Sequence, residues 1–181
     1  AHWQKSQSSG IQPASSFAEV AGAFFSVIRG PILDLGSGDG RDTRYFKEMG
    51  FSVDPCDLHV AERCDALTVE LAEYRQIYCR WLLHTLSLRQ RQRLLARFQK
   101  VMPGTIICFE FRDLADRTNL TAVLNDPRLY FDDGHFRWLM TNREVLDALG
   151  SEFSILHQSM GRYSPTTASD PILSRLIIKK M

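Results

Sequence analysis

A chain of 181 residues, 44% hydrophobic and 24% charged, has the length and composition of one globular unit with a sizeable core. Its formal net charge of +1 argues against a broad electrostatic grip on nucleic acid or an anionic membrane, while leaving room for a local basic pocket. No apolar run reaches the length of about 18 residues that a membrane span needs.

Residues 4–16 are polar and flexible in composition and are bracketed by Trp3 and Phe17, so residues 1–16 read as a lid-like tail in which Trp3 either closes over a ligand or only pins the segment. Ser15 or Ser16 caps a helix from about Phe17, with Val20, Phe24, Phe25 and Ile28 on or near one face, until Arg29, Gly30 and Pro31 stop it. Residues 31–42 (Pro-Ile-Leu-Asp-Leu-Gly-Ser-Gly-Asp-Gly-Arg-Asp) organise the rest of the chain. They read as a buried strand that breaks into three alternating glycines and leads into an amphipathic helix from about Arg41. Glycine alone lets backbone N–H groups approach a ligand closely, and the helix start adds a positive end.

Residues 51–58 read as a second strand, with Asp57 at its carboxyl end, 23 residues after Asp34. Between Asp57 and Ile77 there is room only for a short third strand or loop at Cys64, Asp65, Ala66 and Leu67 and for residues 69–75, so the helix expected here is trimmed to a turn. Residues 77–84 are the next strand, running into Arg80 and His84. Residues 88–102 form a helix with Leu94, Leu95, Phe98 and Met102 inward and a run of arginines that reads as a solvated face rather than a nucleic-acid surface. Pro103 and Gly104 end it, and residues 105–112, dense in β-branched and aromatic side chains, are the fifth strand. Residues 113–125 read as a loop with some helix, and 130–138 as a turn rich in anion-binding groups. Thr141 caps a helix over 142–149, and 153–157 with 172–179 form a terminal antiparallel pair.

The four cysteines, Cys56, Cys64, Cys79 and Cys108, show no paired metal spacing. Together with an N-terminus that lacks the apolar core of a signal peptide, they lead us to expect reduced thiols, no disulfide, no metal and a cytoplasmic setting. Ala1 is read either as a start after removal of Met or as the edge of a longer chain, and a weak homo-oligomer stays open.

The acid two residues before the first glycine, the G-x-G-x-G register and Asp57 after the second strand resemble the class I S-adenosylmethionine (SAM)-dependent methyltransferases. The resemblance implies an α/β fold with a Rossmann-like sheet, mostly parallel with a terminal antiparallel strand pair and helices on both faces, with the helix between strands two and three trimmed. It implies SAM as cofactor, held by Asp34, Gly36, Ser37, Gly38, Gly40, Arg41, Asp57, Leu58, Asp65, Ala66 and Cys79. Asp57 would accept from the ribose hydroxyls and Asp65 from the adenine amino group. The terminal antiparallel pair argues against a nicotinamide-binding dehydrogenase.

Residues 80–84, 110–112 and 134–137, with Asp170, Pro171 and Arg175, more narrowly resemble the methyltransferase modules of bacterial surface-polysaccharide biosynthesis. In-line methyl transfer mainly requires alignment and exclusion of water. An amine or hydroxyl acceptor also has a proton to lose, which calls for a base. An anionic oxygen instead needs positive donors, and Arg80, His84, Arg112, His135 and Arg137 are the expected catalytic set. The leading expectation is therefore O-methylation of an anionic small molecule or glycan phosphate or carboxylate. The alternatives are an N- or S-methyltransferase with His84 or Glu110 as base, and a non-catalytic SAM-binding partner domain. The same arginines could also serve as structural ion pairs with Glu110, Asp113, Asp132 and Asp133.

Overall fold

The computed structural model describes residues 13–28, 30–59, 63–116, 121–123, 126–132, 135–163 and 170–181, with only the backbone for 121–123, 127, 132 and 135. Most of the tail that carries Trp3 lies outside the described residues. In chain order the elements are α1 (Ser16–Phe25), β1 (Ile32–Leu35), α2 (Arg41–Glu48), β2 (Val53–Cys56), β3 (Gln76–Arg80), a 3₁₀ turn (Leu83–Thr85), α3 (Leu88–Phe98), β4 (Ile106–Arg112), β5 (Thr121–Val123), β6 (Asp126–Asp132), β7 (His135–Trp138), α4 (Asn142–Leu149), β8 (Phe153–Gly161) and β9 (Leu173–Lys180).

Six strands form one sheet in the order β2-β1-β3-β4-β9-β8. The first four run parallel, and β9 then pairs antiparallel with both β4 and β8. All four residues of β1 are buried, as befits a central strand covered on both faces. The chain leaves β1 for β2 on one side and returns to β3 on the other, so a crevice opens at the carboxyl ends of β1 and β3 where ligands of open α/β sheets lodge.

Each face has its own core. On one, α1 and α2 bury Phe17, Ala21, Phe25 and Phe46 against Tyr78 and Cys108. Ser15 starts α1 by accepting from Ala18 N at 3.1 Å. On the other face, Ser87 and Gln90 close a capping box at the start of α3, whose Leu94, Leu95 and Phe98 pack on the sheet, with Phe98 edge-on to Phe109 at 5.3 Å. Burial of such a side chain contributes about 1.5–3 kcal/mol. Thr141 and Glu144 make a second capping box at α4, which Gly150 ends. Met102, expected inward, is instead exposed, because the helix ends at Phe98 and carries Met102 beyond the buried face.

Between β4 and α4 the chain builds a separate antiparallel sheet, β5-β6-β7, where a loop with some helix and then a turn were expected. Its two ends meet: Leu114 N donates to Met140 O at 3.0 Å beside a bridge between Asp113 and Met140. Of the short strand or loop expected at 64–67, the structure has the loop, with a turn at 66–67.

The cysteine expectation needs correction. Cys56 and Cys64 form a disulfide, with Cα atoms 4.7 Å apart, while Cys79 and Cys108 are free and buried. Cys64 N donates to Asp57 O at 3.2 Å, which holds Cys64 beside the end of β2, where Cys56 stands. The support that four reduced thiols lent to a cytoplasmic setting falls away. Among the described residues, no helix is long and apolar enough to cross a membrane, and no group of three or more His, Cys, Asp or Glu is placed to hold a metal ion.

Candidate functional site

The turn after β1 has three glycines in the left-handed region: Gly36 at φ 77, Gly38 at φ 56 and Gly40 at φ 73. A side chain at Gly36 would strain the backbone and would also bring a Cβ to 3.1 Å from Leu82 Cβ. Gly36 N donates to Cys56 O at 2.7 Å, tying the turn to β2. Gly40 is the N-cap of α2 and has no side-chain cap, so the helix start faces the crevice through backbone alone.

Asp34 is not open to solvent. It is 2% exposed and accepts from Thr43 Oγ1 at 2.5 Å, so it fastens the turn to α2. Burial is the main reason its carboxyl is pushed up to about 7, with the Thr43 hydrogen bond opposing. Beside it, Asp42 accepts from Ser15 N and Ser15 Oγ, each at 2.8 Å, and from Tyr78 OH at 2.9 Å, joining the start of α1 to the same turn. Arg41 approaches Asp42 at 3.7 Å. Ser37 Oγ is buried with no hydrogen-bond partner among the described residues.

Asp57 closes the other wall. Its Oδ2 accepts from Gly38 N at 3.0 Å and its Oδ1 from His59 N at 2.8 Å, while its neighbour Leu58 is 53% exposed. Asp65 has one carboxylate oxygen committed to its own turn, accepting from Leu67 N at 2.8 Å. Arg97 of α3 donates to Ala66 O at 2.7 Å and to Val69 O, so one of the arginines read as solvated in fact braces this loop. Cys79 lies inside the sheet, its thiol pushed well up by burial, and its side chain does not reach the crevice surface.

At the carboxyl end of β3 the chain passes through Trp81 at φ 58, a left-handed conformation unusual for a bulky residue. The strain is held by Glu110 on β4. Trp81 N donates to Glu110 O at 2.8 Å, and Trp81 Nε1 to Glu110 Oε1 at 3.1 Å. Glu110, 1% exposed, also accepts from Arg80 Nε at 2.8 Å and Arg175 Nε at 2.7 Å. Arg80 is therefore an ion-pair partner first. The guanidinium carbons of Arg80 and Arg112 lie over the Trp81 ring, 5.3 and 5.8 Å from its centroid, and the ring is edge-on to His84 at 5.5 Å. Arg112 Nε stands 3.7 Å from Asp116 Oδ2.

His84 sits fully buried in the 3₁₀ turn behind this edge, its Nδ1 accepting from Arg112 N at 3.3 Å. That bond places the ring proton on Nε2, which is buried with no hydrogen-bond partner among the described residues. Burial, then Arg137, Arg112 and Arg80, hold its pKa well below the ordinary value. Arg80, His84, Arg112 and Arg137 thus lie near one another, while the side chain of His135 lies outside the described residues. Trp81 and the Glu110 hub were missed in this role. A Trp at a strand end carries no mark of positive φ, and Glu110 reads as one polar position in an apolar strand.

No family model matches the chain, and no curated protein matches its sequence. Solved structures do match its fold. The 1,6-didemethyltoxoflavin-N1-methyltransferase of Burkholderia thailandensis, with bound 1,6-didemethyltoxoflavin and S-adenosylhomocysteine, superposes with a TM-score of 0.69 at 19% identity over 92% of this chain and 79% of that one. The glycopeptide N-methyltransferase MtfA complexed with SAM gives 0.61 at 17% identity over 90% and 94%. A SAM-dependent methyltransferase of Methanosarcina mazei gives 0.66 at 13% identity over 84% and 93%. The chain has the class I SAM-methyltransferase fold, as the glycine register and the terminal antiparallel pair led us to expect. The narrower likeness to polysaccharide-synthesis modules has no counterpart in these three.

Proposed function

We propose that the protein is a SAM-dependent methyltransferase that methylates an oxygen of an anionic small molecule or glycan phosphate or carboxylate. The left-handed glycines and the Asp57 carboxylate at the crevice rim suit the cofactor. Gly36 and Gly38 leave room for its methionine part, Asp57 accepts from the ribose hydroxyls, and Leu58, Asp65 and Ala66 border the adenine. Ser37, Gly40 and Arg41 line the start of α2, with Asp34 and Cys79 supporting from inside. Bound SAM supplies an electrophilic methyl group on a positively charged sulfur.

The observation that carries the acceptor class is the state of the two groups that could serve as base. Glu110 has its carboxylate taken by Arg80, Trp81 and Arg175. His84 has Nδ1 taken by the Arg112 N–H and offers only a donor at Nε2. An acceptor here has to arrive with no proton to lose, and Arg112 and Arg137, with the Nε2–H of His84, are donors for an oxyanion. Arg80 is held by Glu110 and orients Trp81. A second reading, methylation of an uncharged nitrogen whose lone pair needs no base, draws support from the same observation and from two of the solved structures being N-methyltransferases.

The test is transfer from methyl-labelled SAM to phosphorylated sugars, carboxylates, amines and thiols, beside calorimetry of SAM binding. Asp57→Ala should weaken binding by about 2–4 kcal/mol, the loss of charge-assisted hydrogen bonds partly replaced by water. Arg112→Ala and Arg137→Ala should abolish turnover while leaving SAM affinity within a factor of about three, and lysine should not rescue Arg112. Full activity of both variants on the true acceptor overturns the oxyanion reading. SAM binding without transfer to any acceptor marks a silent binding domain instead.

A further inference from the structure

We propose that the cavity enclosed by α3, α4 and β7 is a binding site for a small carboxylate with a flat apolar body, separate from the transfer centre. Along a strand, neighbouring side chains point to opposite faces. On β7, Arg137 lies on the side that acts on His84, and Trp138 lines the cavity on the other. The cavity has a volume of about 250 Å³, and its lining includes Leu95, Val145 and Ala148. A void of about 150 Å³ with apolar walls already accepts benzene, so a single ring bearing a carboxylate fits.

Of the polar groups that line this cavity, Arg91, Gln92, Arg128 and Glu144, the most buried is Arg91, from the first turn of α3. It is 8% exposed, its guanidinium is 5.5 Å from the centre of the Trp138 ring, and among the described residues its side chain meets only Met140 Sδ, at 3.9 Å, as a hydrogen-bond partner. Among the described residues no carboxylate lies within ion-pair distance of it. Glu144, the nearest candidate, is already committed to Arg128 and to Thr141 N at 2.9 Å and Thr141 Oγ1 at 3.1 Å. The contrast with Arg175 and Arg97 is plain, since those two are matched by Glu110 and by loop carbonyls. Glu144 acts on Arg91 only through space and is shared with Arg128, so a buried guanidinium with no direct ion pair among the described residues suits an anion, and the Trp138 ring beside it suits a flat one.

Benzoate is the probe, and the readout is the pair of indole N–H resonances of Trp138 and Trp81, assigned through Trp138→Phe and Trp81→Phe. We expect benzoate to move the Trp138 resonance saturably and leave that of Trp81 in place. Benzamide, of the same shape without the charge, should bind at least about tenfold more weakly. Arg91→Met, which keeps the apolar stem, should remove the benzoate response at an unchanged melting temperature. The proposal is overturned if Trp138 shows no saturable shift, if benzamide matches benzoate, or if the response survives in Arg91→Met. The benzoate and benzamide comparison uses the unaltered protein, and none of these readouts needs SAM, so failure of methyl transfer and failure of this site are separate results.

Discussion

Trp81 and Glu110 are joined twice, by the backbone bond from Trp81 N to Glu110 O at 2.8 Å and by the indole bond from Nε1 to Oε1 at 3.1 Å. The pair holds a left-handed tryptophan at the edge where β3 and β4 end, and it draws Arg80 and Arg175 onto one carboxylate. Replacing Glu110 by Ala would leave the two guanidinium groups and the strained backbone without their common anchor. We expect Glu110→Ala to destabilise the fold by about 3–5 kcal/mol, read as a lower urea midpoint, because a buried charge left without its partner is costly. An unchanged midpoint would show that the network is ornamental to stability.

Asp34 gives a pH signature. Its carboxyl is pushed up to about 7 in the fold, against an ordinary value near 4, so the unfolded chain gives up this proton first. Its contribution is fully present below about pH 4 and is lost as pH rises to 7, a span of about 4 kcal/mol at most, with no further change above. Asp34→Asn, which keeps an acceptor for Thr43, should flatten the stability profile between about pH 4 and 7. Parallel profiles for the two proteins would refute the assignment.

His84 behaves in the opposite sense. Its pKa is held well below the ordinary value, so its contribution is present above about pH 6.5 and is lost as pH falls below that, while the unfolded chain takes up the proton. Ring nitrogen shifts should report the Nε2–H tautomer with no titration between pH 8 and 6. A midpoint in that range would restore His84 as a candidate base.

The disulfide closes the short loop that carries Asp57. Closing so few residues is worth about 2–3 kcal/mol on the chain-entropy account. A reducing agent should lower the denaturation midpoint of the native protein and leave Cys56→Ser/Cys64→Ser unmoved. We also expect weaker binding of S-adenosylhomocysteine after reduction, because Asp57 O is the acceptor for Cys64 N. Equal affinity in both redox states would separate the bond from the ribose acid.

The parts legible in the sequence are those fixed by local rules. The glycine turn announces itself because its φ values exclude other residues, and α4 because Thr141 and Glu144 stand at capping-box spacing with Gly150 behind. The β6–β7 hairpin hides because Pro127, Asp132 and Gly134 punctuate it as a turn would, and no clean alternation of period two survives. Partnerships between distant residues were illegible for a different reason. Nothing local says that Glu110 meets Arg175, that Arg97 reaches the 66–69 carbonyls, or that Cys56 finds Cys64, since each depends on how the chain returns.

The meeting of Asp113 and Met140 has an evolutionary corollary. Everything between them leaves and rejoins the main sheet at one point, so this cassette can lengthen, shorten or be exchanged while β4 and α4 stay where they are. Each doubling of such an excursion costs only about 0.6 kcal/mol in loop closure. Because β7 within it carries Arg137 and Trp138 on opposite sides, a single insertion could alter both proposed binding surfaces at once and leave the glycine turn untouched.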